Sequence, residues 1–253
     1  MRKHCLLVFV LFAGCGLGFG QSGVGLRIGF ADADSVTIAN APFQADVTVT
    51  SSQTLGDGNV LSRESRGKAM RDSAGRFRYQ TSETMNAGKP MTGAAESATV
   101  VDPVADRTIR LSETAKTATT QFLGHGTHIS LTYTNTTDGR EHLSKEVADY
   151  VTTKDLGQKK ISGLTCMGTL VTTVVPVGKM GNAKPITITD ETWRSPNLQM
   201  VVEETLQDPL IGTRRVEFMN ITRTEPEASV FQIPEGYVEK QFHMPTVPTR
   251  QPQ

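Results

Sequence analysis

Two histidines in the string Gly124-His125-Gly126-Thr127-His128 are the side chains of this sequence best suited to proton transfer. An imidazole activates a hydroxyl nucleophile when a carboxylate orients it and a serine lies within hydrogen-bond reach. No Asp-Thr-Gly or Asp-Ser-Gly precedes the string, and no Gly-Thr-Ser follows it. A metal reading would join His125 and His128 to Asp138 and His142, because imidazole and carboxylate both suit zinc. Residues three apart on an extended chain face opposite sides, however, so this pair chelates only across a bend. A hydrolase using His125 and His128 is thus the most remote reading, and the sequence assigns no catalytic residue, metal ligand or cofactor.

The strongest candidate for binding is a run of cations, Arg63, Arg66, Lys68, Arg71, Arg76 and Arg78, interrupted by Glu64 and Asp72. Placed on one face of a hairpin, some of them would form a basic patch for an acidic headgroup, a glycan or a partner protein. The plainer expectation is a solvated sheet face whose charges discourage edge-to-edge pairing. Cys166 sits in a Thr/Val-rich run with no histidine nearby in sequence, which fits a small buried hydrophobe. Trp193, the one tryptophan, closes a strand-like segment and is expected to plug the core or the mouth of a cavity.

The elements that must carry these residues are strands. The chain of 253 residues contains 33 Thr and 22 Val against 10 Phe, 4 Tyr and one Trp, a bias toward pleated sheet. Phe43, Ala45, Val47 and Val49 alternate with Gln44, Asp46, Thr48 and Thr50, the period of a half-buried strand. Gly56-Asp57-Gly58-Asn59 turns the chain into Val60–Arg71, and Asp72-Ser73-Ala74-Gly75 turns it again into a third strand, Arg76 to Thr81. The same rhythm continues to Thr222 and gives about ten strands in a mainly β, antiparallel meander. Helix is sparse: Leu143, Val147 and Val151 repeat at four-residue spacing, competing with a strand around Val147 to Thr153, and Glu225 to Phe231 suits one short turn. Ser82 to Ser97, poor in large apolar residues, reads as a mobile loop.

Arg2, Lys3 and His4 before the apolar run Cys5 to Ala13, with small residues to Gly20, have the layout of a secretory signal over residues 1–20. Cleavage after Gly20 competes with a lipobox, Leu11-Phe12-Ala13-Gly14-Cys15, that would lipidate Cys15. The run is too short for a structural membrane span. A Gly-rich lead (residues 21–42), one antiparallel β domain (43–240) and a disordered Pro-rich tail (241–253) complete the expected organisation. The 26 basic and 26 acidic residues balance, and losing Arg2 and Lys3 leaves 24 against 26, which argues against nucleic acid as a partner. With Cys5 and Cys15 in the targeting segment, Cys166 has no intramolecular disulfide partner, so stability must come from the core.

Several motifs occur together. They are Pro42-Phe43-Gln44-Ala45, Gln53 to Asn59, Arg71 to Arg76, Asp102-Pro103-Val104-Ala105, Trp193 to Leu198, Asp208-Pro209 with Gly212, Asn220-Ile221, and Phe231 to Tyr237. As a set they resemble a group of exported, β-rich bacterial proteins common in Acidobacteria, whose activity is unsettled. The layout is more distantly similar to periplasmic lipoprotein carriers and sensors of LolA and RseB type. That resemblance implies a curved antiparallel half-barrel around a lipid-sized cavity. The string at His125 also resembles the histidine motif of subtilisin-type proteases, over seven residues only. The expectation is an exported protein, periplasmic or extracellular, that binds an apolar or amphipathic ligand or an envelope partner without catalysis. The alternative is a sensory or scaffolding module that recognises protein through sheet edges or the basic hairpin.

Overall fold

The computed structural model describes residues 38–91, 97–122 and 150–241. The expected signal segment, Cys15, both candidate histidines with Asp138 and His142, Leu143, Val147 and the tail beyond Gln241 lie outside these residues. The described chain is nearly all β and forms one open, curved sheet. Its strands are β1 (Phe43–Thr54), β2 (Val60–Arg71), β3 (Phe77–Asn86), β4 (Lys89–Pro90), β5 (Ser97–Asp102), β6 (Arg107–Ser112) and β7 (Thr117–Phe122). There follow β8 (Val151–Ile161), β9 (Leu164–Val175), β10 (Ile186–Ser195), β11 (Met200–Asp208), β12 (Gly212–Thr222) and β13 (Val238–Gln241). Across the sheet the order is β13-β7-β6-β5-β3-β2-β1-β12-β11-β10-β9-β8, with β4 paired to β3.

Thirteen strands replace the expected ten or so. Part of the difference is β3, which runs on to Asn86 and turns into β4 where the sequence suggested a loop over Ser82 to Ser97. Ser82 to Asn86 carry little apolar surface, yet backbone pairing with β2 needs none: Thr84 lies opposite Ser65 and Asn86 opposite Arg63. At the other end of the chain, β13 adds parallel to β7, the one parallel pair among the described strands. Val151 opens β8, so the strand reading prevails there, and the helical turn after β12 is the 3-10 segment Ala228–Phe231.

Alternation sorts the side chains of β1 to β3 onto two faces. Phe43, Ala45, Val47 and Val49 are buried, and register places Arg71, Ala69, Gly67 and Ser65 beside them, then Phe77 and Tyr79 on β3. We call this the inner face. Phe43 anchors it, with its ring 6.4 Å from Phe77 and 6.3 Å from Phe218. The sheet curls toward this face. Arg71, on β2, donates from Nη2 to the Leu198 carbonyl at 2.6 Å, although β2 and β11 stand three strand spacings apart, about 14 Å in a flat sheet. The same guanidinium donates from Nε and Nη2 to the Ala41 carbonyl at 2.9 and 2.8 Å and lies over the Phe43 ring. Burial, with the neighbouring Arg223, lowers its pKa to about 10, so it is charged at neutral pH.

The opposite, outer face of β3, β5, β6 and β7 carries a second core of Ala98, Val100, Ile109, Leu111 and Ala118. The segment after β12 covers it. Phe231 is fully buried there, Arg78 donates to the Val230 carbonyl at 2.9 Å, and Tyr237 hydrogen-bonds Glu113. Trp193 packs against Gly168, where a Cβ atom would come within 2.6 Å of the indole and 2.9 Å of Leu156, so only glycine fits under the ring. Cys166 is buried and free, and burial pushes its thiol pKa up.

Replacing Arg71 by alanine is expected to lower the unfolding free energy by about 3 kcal/mol or more, because two carbonyls lose their donor and a cavity opens over Phe43. Urea titration measures this. A wild-type midpoint in the variant would show that Arg71 does not hold the curl.

Candidate functional site

The six cations singled out in the sequence do not share one surface. Arg66 and Lys68 are exposed on the outer side of β2, and Arg78 is buried on that side of β3. Arg63 and Arg71 belong to the inner face. Arg76, in the turn before β3, pairs with Asp72 at 2.6 Å and lies over Phe231. Arg66 is held by Glu64 at 2.6 Å and Glu83 at 3.5 Å. Arg71 donates to the Ala41 and Leu198 carbonyls, and Arg78 to the Val230 carbonyl and Gln80 Oε1, so their work in the described structure is architectural. Among the described residues no group of three or more His, Cys, Asp and Glu could hold a metal ion.

A different set of polar groups stands out on the inner face. Register carries one row across Ser65, Val49, Val216, Glu204, Thr192 and Thr169, and the next across Ser51, Arg214, Leu206, Asp190 and Val171. Apolar and polar side chains therefore interleave on a single surface. Val49, Val216 and Leu206 are buried with Ser65 and Glu204, whereas Thr169, Val171, Asp190 and Thr192 on β9 and β10 are half-buried. The surface is thus deep at β1 and shallower toward β9.

Buried polar atoms almost always find a hydrogen-bond partner, so those that do not mark places requiring explanation. Six side-chain atoms of this kind occur among the described residues: Ser65 Oγ, Arg71 Nη1, Tyr79 Oη, Arg107 Nε, Asp190 Oδ1 and Glu204 Oε2. All but Arg107 belong to the inner face. Arg214 approaches Glu204 Oε1 at 3.7 Å, which leaves Oε2 without a donor. Burial raises the Glu204 pKa from the ordinary 4.5 to about 7; Arg214 opposes the rise and Asp190 adds to it. Asp190 is raised as well, chiefly by burial and against the pull of Arg214. Near neutrality Glu204 is therefore poised to carry a proton, and a protonated carboxyl donates one hydrogen bond as well as accepting. Sequence reasoning missed this set because its inner-face members come from four strands, and Glu204 reads there as one acid in an ordinary polar run.

No family model matches the chain, and no curated protein does. Solved structures similar to it include an uncharacterized conserved protein from Thermus thermophilus, at 9% identity and a TM-score of 0.43, with 80% of this chain and 91% of that one covered. The MucA/MucB complex of Pseudomonas aeruginosa gives 13% identity and a TM-score of 0.35, over 76% of this chain and 55% of that one. A LolA superfamily protein from Nitrosomonas europaea gives 11% identity and a TM-score of 0.27, over 79% and 94%. The last of these is titled a LolA superfamily protein, one of the two kinds that the sequence distantly resembles.

The raised pKa of Glu204 fixes the sign of its effect on stability. A carboxyl that holds its proton more tightly when folded contributes most at low pH, and that contribution is lost as pH rises through its folded value. Glu204→Gln should therefore match the wild type near pH 5 and exceed it above pH 8, by up to about 3 kcal/mol for a rise from 4.5 to about 7. Thermal unfolding of both proteins across that range tests the point. A difference independent of pH would remove the assignment.

Proposed function

We propose that this is an exported envelope protein that binds an amphipathic ligand, without catalysis, on the inner face of its curved sheet. The observation that carries the reading is the concentration of orphaned polar atoms among apolar side chains on that face. Val171, half-buried on β9, suits an acyl chain or similar apolar body, and the half-buried Thr169, Thr192 and Asp190 offer hydrogen bonds to oxygen-bearing groups, with the buried Glu204 carboxyl opposite Thr192. Approach is easiest over β9 and β10, where Thr169, Val171 and Thr192 are half-buried. Export follows from the leader pattern at Arg2 to Gly20, with Cys15 as the site of any lipid anchor. Among the described residues no helix is long and apolar enough to cross a membrane.

A second reading, recognition of a protein through a sheet edge, rests on β8, which pairs with β9 on one side and is largely exposed over its 11 residues. That edge is blunted. A bulge between Asp155 and Gly157 breaks its register, and Lys154, Lys159 and Lys160 line it, features that discourage strand addition. The inner face is therefore preferred.

Two measurements test the proposal. Native mass spectrometry of protein taken from its own envelope is expected to show an added mass that disappears on denaturation. A dansylated fatty acid is expected to bind the emptied protein, and Val171→Asp, a change at a half-buried position, to weaken it at least about tenfold by placing a charge on the apolar path. A clean mass together with no uptake of the probe would shift the reading to protein recognition.

A further inference from the structure

Hairpin turns usually present Gly, Asn, Asp, Ser and Pro to water. Three turns at one rim of this sheet present large apolar side chains instead. The β1–β2 turn is flanked by Leu55, Val60 and Leu61, exposed by 37%, 53% and 46%. The β9–β10 turn carries Val177 at 59% and Met180 at 42%, and the β11–β12 turn carries Leu210 at 44% and Ile211 at 37%. These seven are half of the fourteen exposed large hydrophobic side chains among the described residues, so the rim is an apolar concentration rather than scatter.

Strand register brings the turns together. Ser52 lies opposite Thr213 and Asp208 opposite Gly212, so the first and third turns are neighbours. A Cβ atom at Gly212, where φ is +94°, would fall 2.0 Å from the Ser52 carbonyl oxygen. Thr189 opposite Gln207 sets the β9–β10 turn on the same rim. From β2 to β9 the row spans five strand spacings, about 24 Å measured along the sheet.

The turns also satisfy much of their own backbone. Leu55 N–H donates to Asn59 O and Gly58 N–H to Leu55 O. Gly178 N–H donates to Asn182 O, Met180 N–H to Asn182 Oδ1, and Asn182 Nδ2 to Pro176 O and Lys184 O. Leu210 N–H donates to Asp208 Oδ1 and Ile211 N–H to Asp208 O. Such turns enter a poorly hydrated layer without stripping water from those amides. Exposed charges nearby are Lys89 and Lys184 against Asp57, a cationic balance. Lysines of like sign around the turns would oppose one another across a contact between two copies, whereas they complement an anionic lipid surface.

We propose that this rim docks on the surface of an anionic bilayer, with Leu, Ile, Val and Met tips inserted at the headgroup boundary and lysines facing the lipid charge. The inference uses residues apart from the inner face and stands whether or not that face takes a ligand. Sedimentation of the full chain with vesicles of equimolar phosphatidylethanolamine and phosphatidylglycerol is expected to show binding that is weaker on phosphatidylcholine and falls with salt. Leu61→Ser with Met180→Ser and Leu210→Ser should reduce it at least about tenfold at an unchanged melting temperature, since all three side chains are already exposed. Lys89→Glu with Lys184→Glu should reduce it mainly at low salt. Absence of binding to the anionic vesicles, or equal binding by the serine variant, would overturn the proposal. So would a concentration-dependent dimer of the wild type that the serine variant abolishes, because the rim would then be an interface between copies.

Discussion

The curl of the sheet turns on one buried cation. Arg71 joins Ala41, just before β1, to the β10–β11 turn through the Leu198 carbonyl, while Phe43 lies beneath its guanidinium. A flat sheet would hold the two accepting carbonyls too far apart for one side chain. Burying a guanidinium is costly, and that cost is offset here by three charge-assisted hydrogen bonds and the aromatic face. Removing it would strand two buried carbonyls and release the turn that leans over the inner face.

With the curl in place, each strand near its centre has a concave and a convex side, and each side is completed differently. The inner side gathers Phe43, Phe77 and Phe218 with the valines of β1 and β12. The outer side of β3 to β7 is completed from the end of the chain, where Phe231 fills the second core and Val238 begins a parallel strand against β7. Arg78 connects this covering segment to the sheet through Val230. One cation on each face thus fastens a distant segment beside an apolar cluster.

The polar groups of the inner face have the opposite character. Asp190 on β10 lies opposite Leu206, two residues along β11 from Glu204, with Arg214 close enough to moderate both acids without supplying all their hydrogen bonds. Carrying such groups beside valine and leucine costs stability, and a surface of this mixed kind suits a ligand that is itself part apolar and part oxygen-rich. The apolar turns at the rim are a separate feature, set by register at the ends of β1, β9 and β11.

Local pattern alone determined a good deal of this protein. Alternation through Phe43 to Thr50 fixed β1 and its inward side, Gly56 to Asn59 fixed the first turn, and Val60–Arg71 has the observed bounds of β2. These are legible because period-two burial and positive-φ turns depend on neighbours in sequence. The strands read less well, Ser82 to Asn86 and β13, are held by backbone pairing with a partner strand and carry little apolar pattern of their own. Which of the cations of β2 and β3 share a face was not legible, because charge and spacing do not reveal facing; an odd number of steps along a strand sends Arg71 inward and Lys68 outward. Only the tertiary structure decided which carbonyls Arg71 reaches and which acids are desolvated. It likewise set three hydrophobic turns on one rim, since each of these depends on cross-strand register and on the curl that register permits.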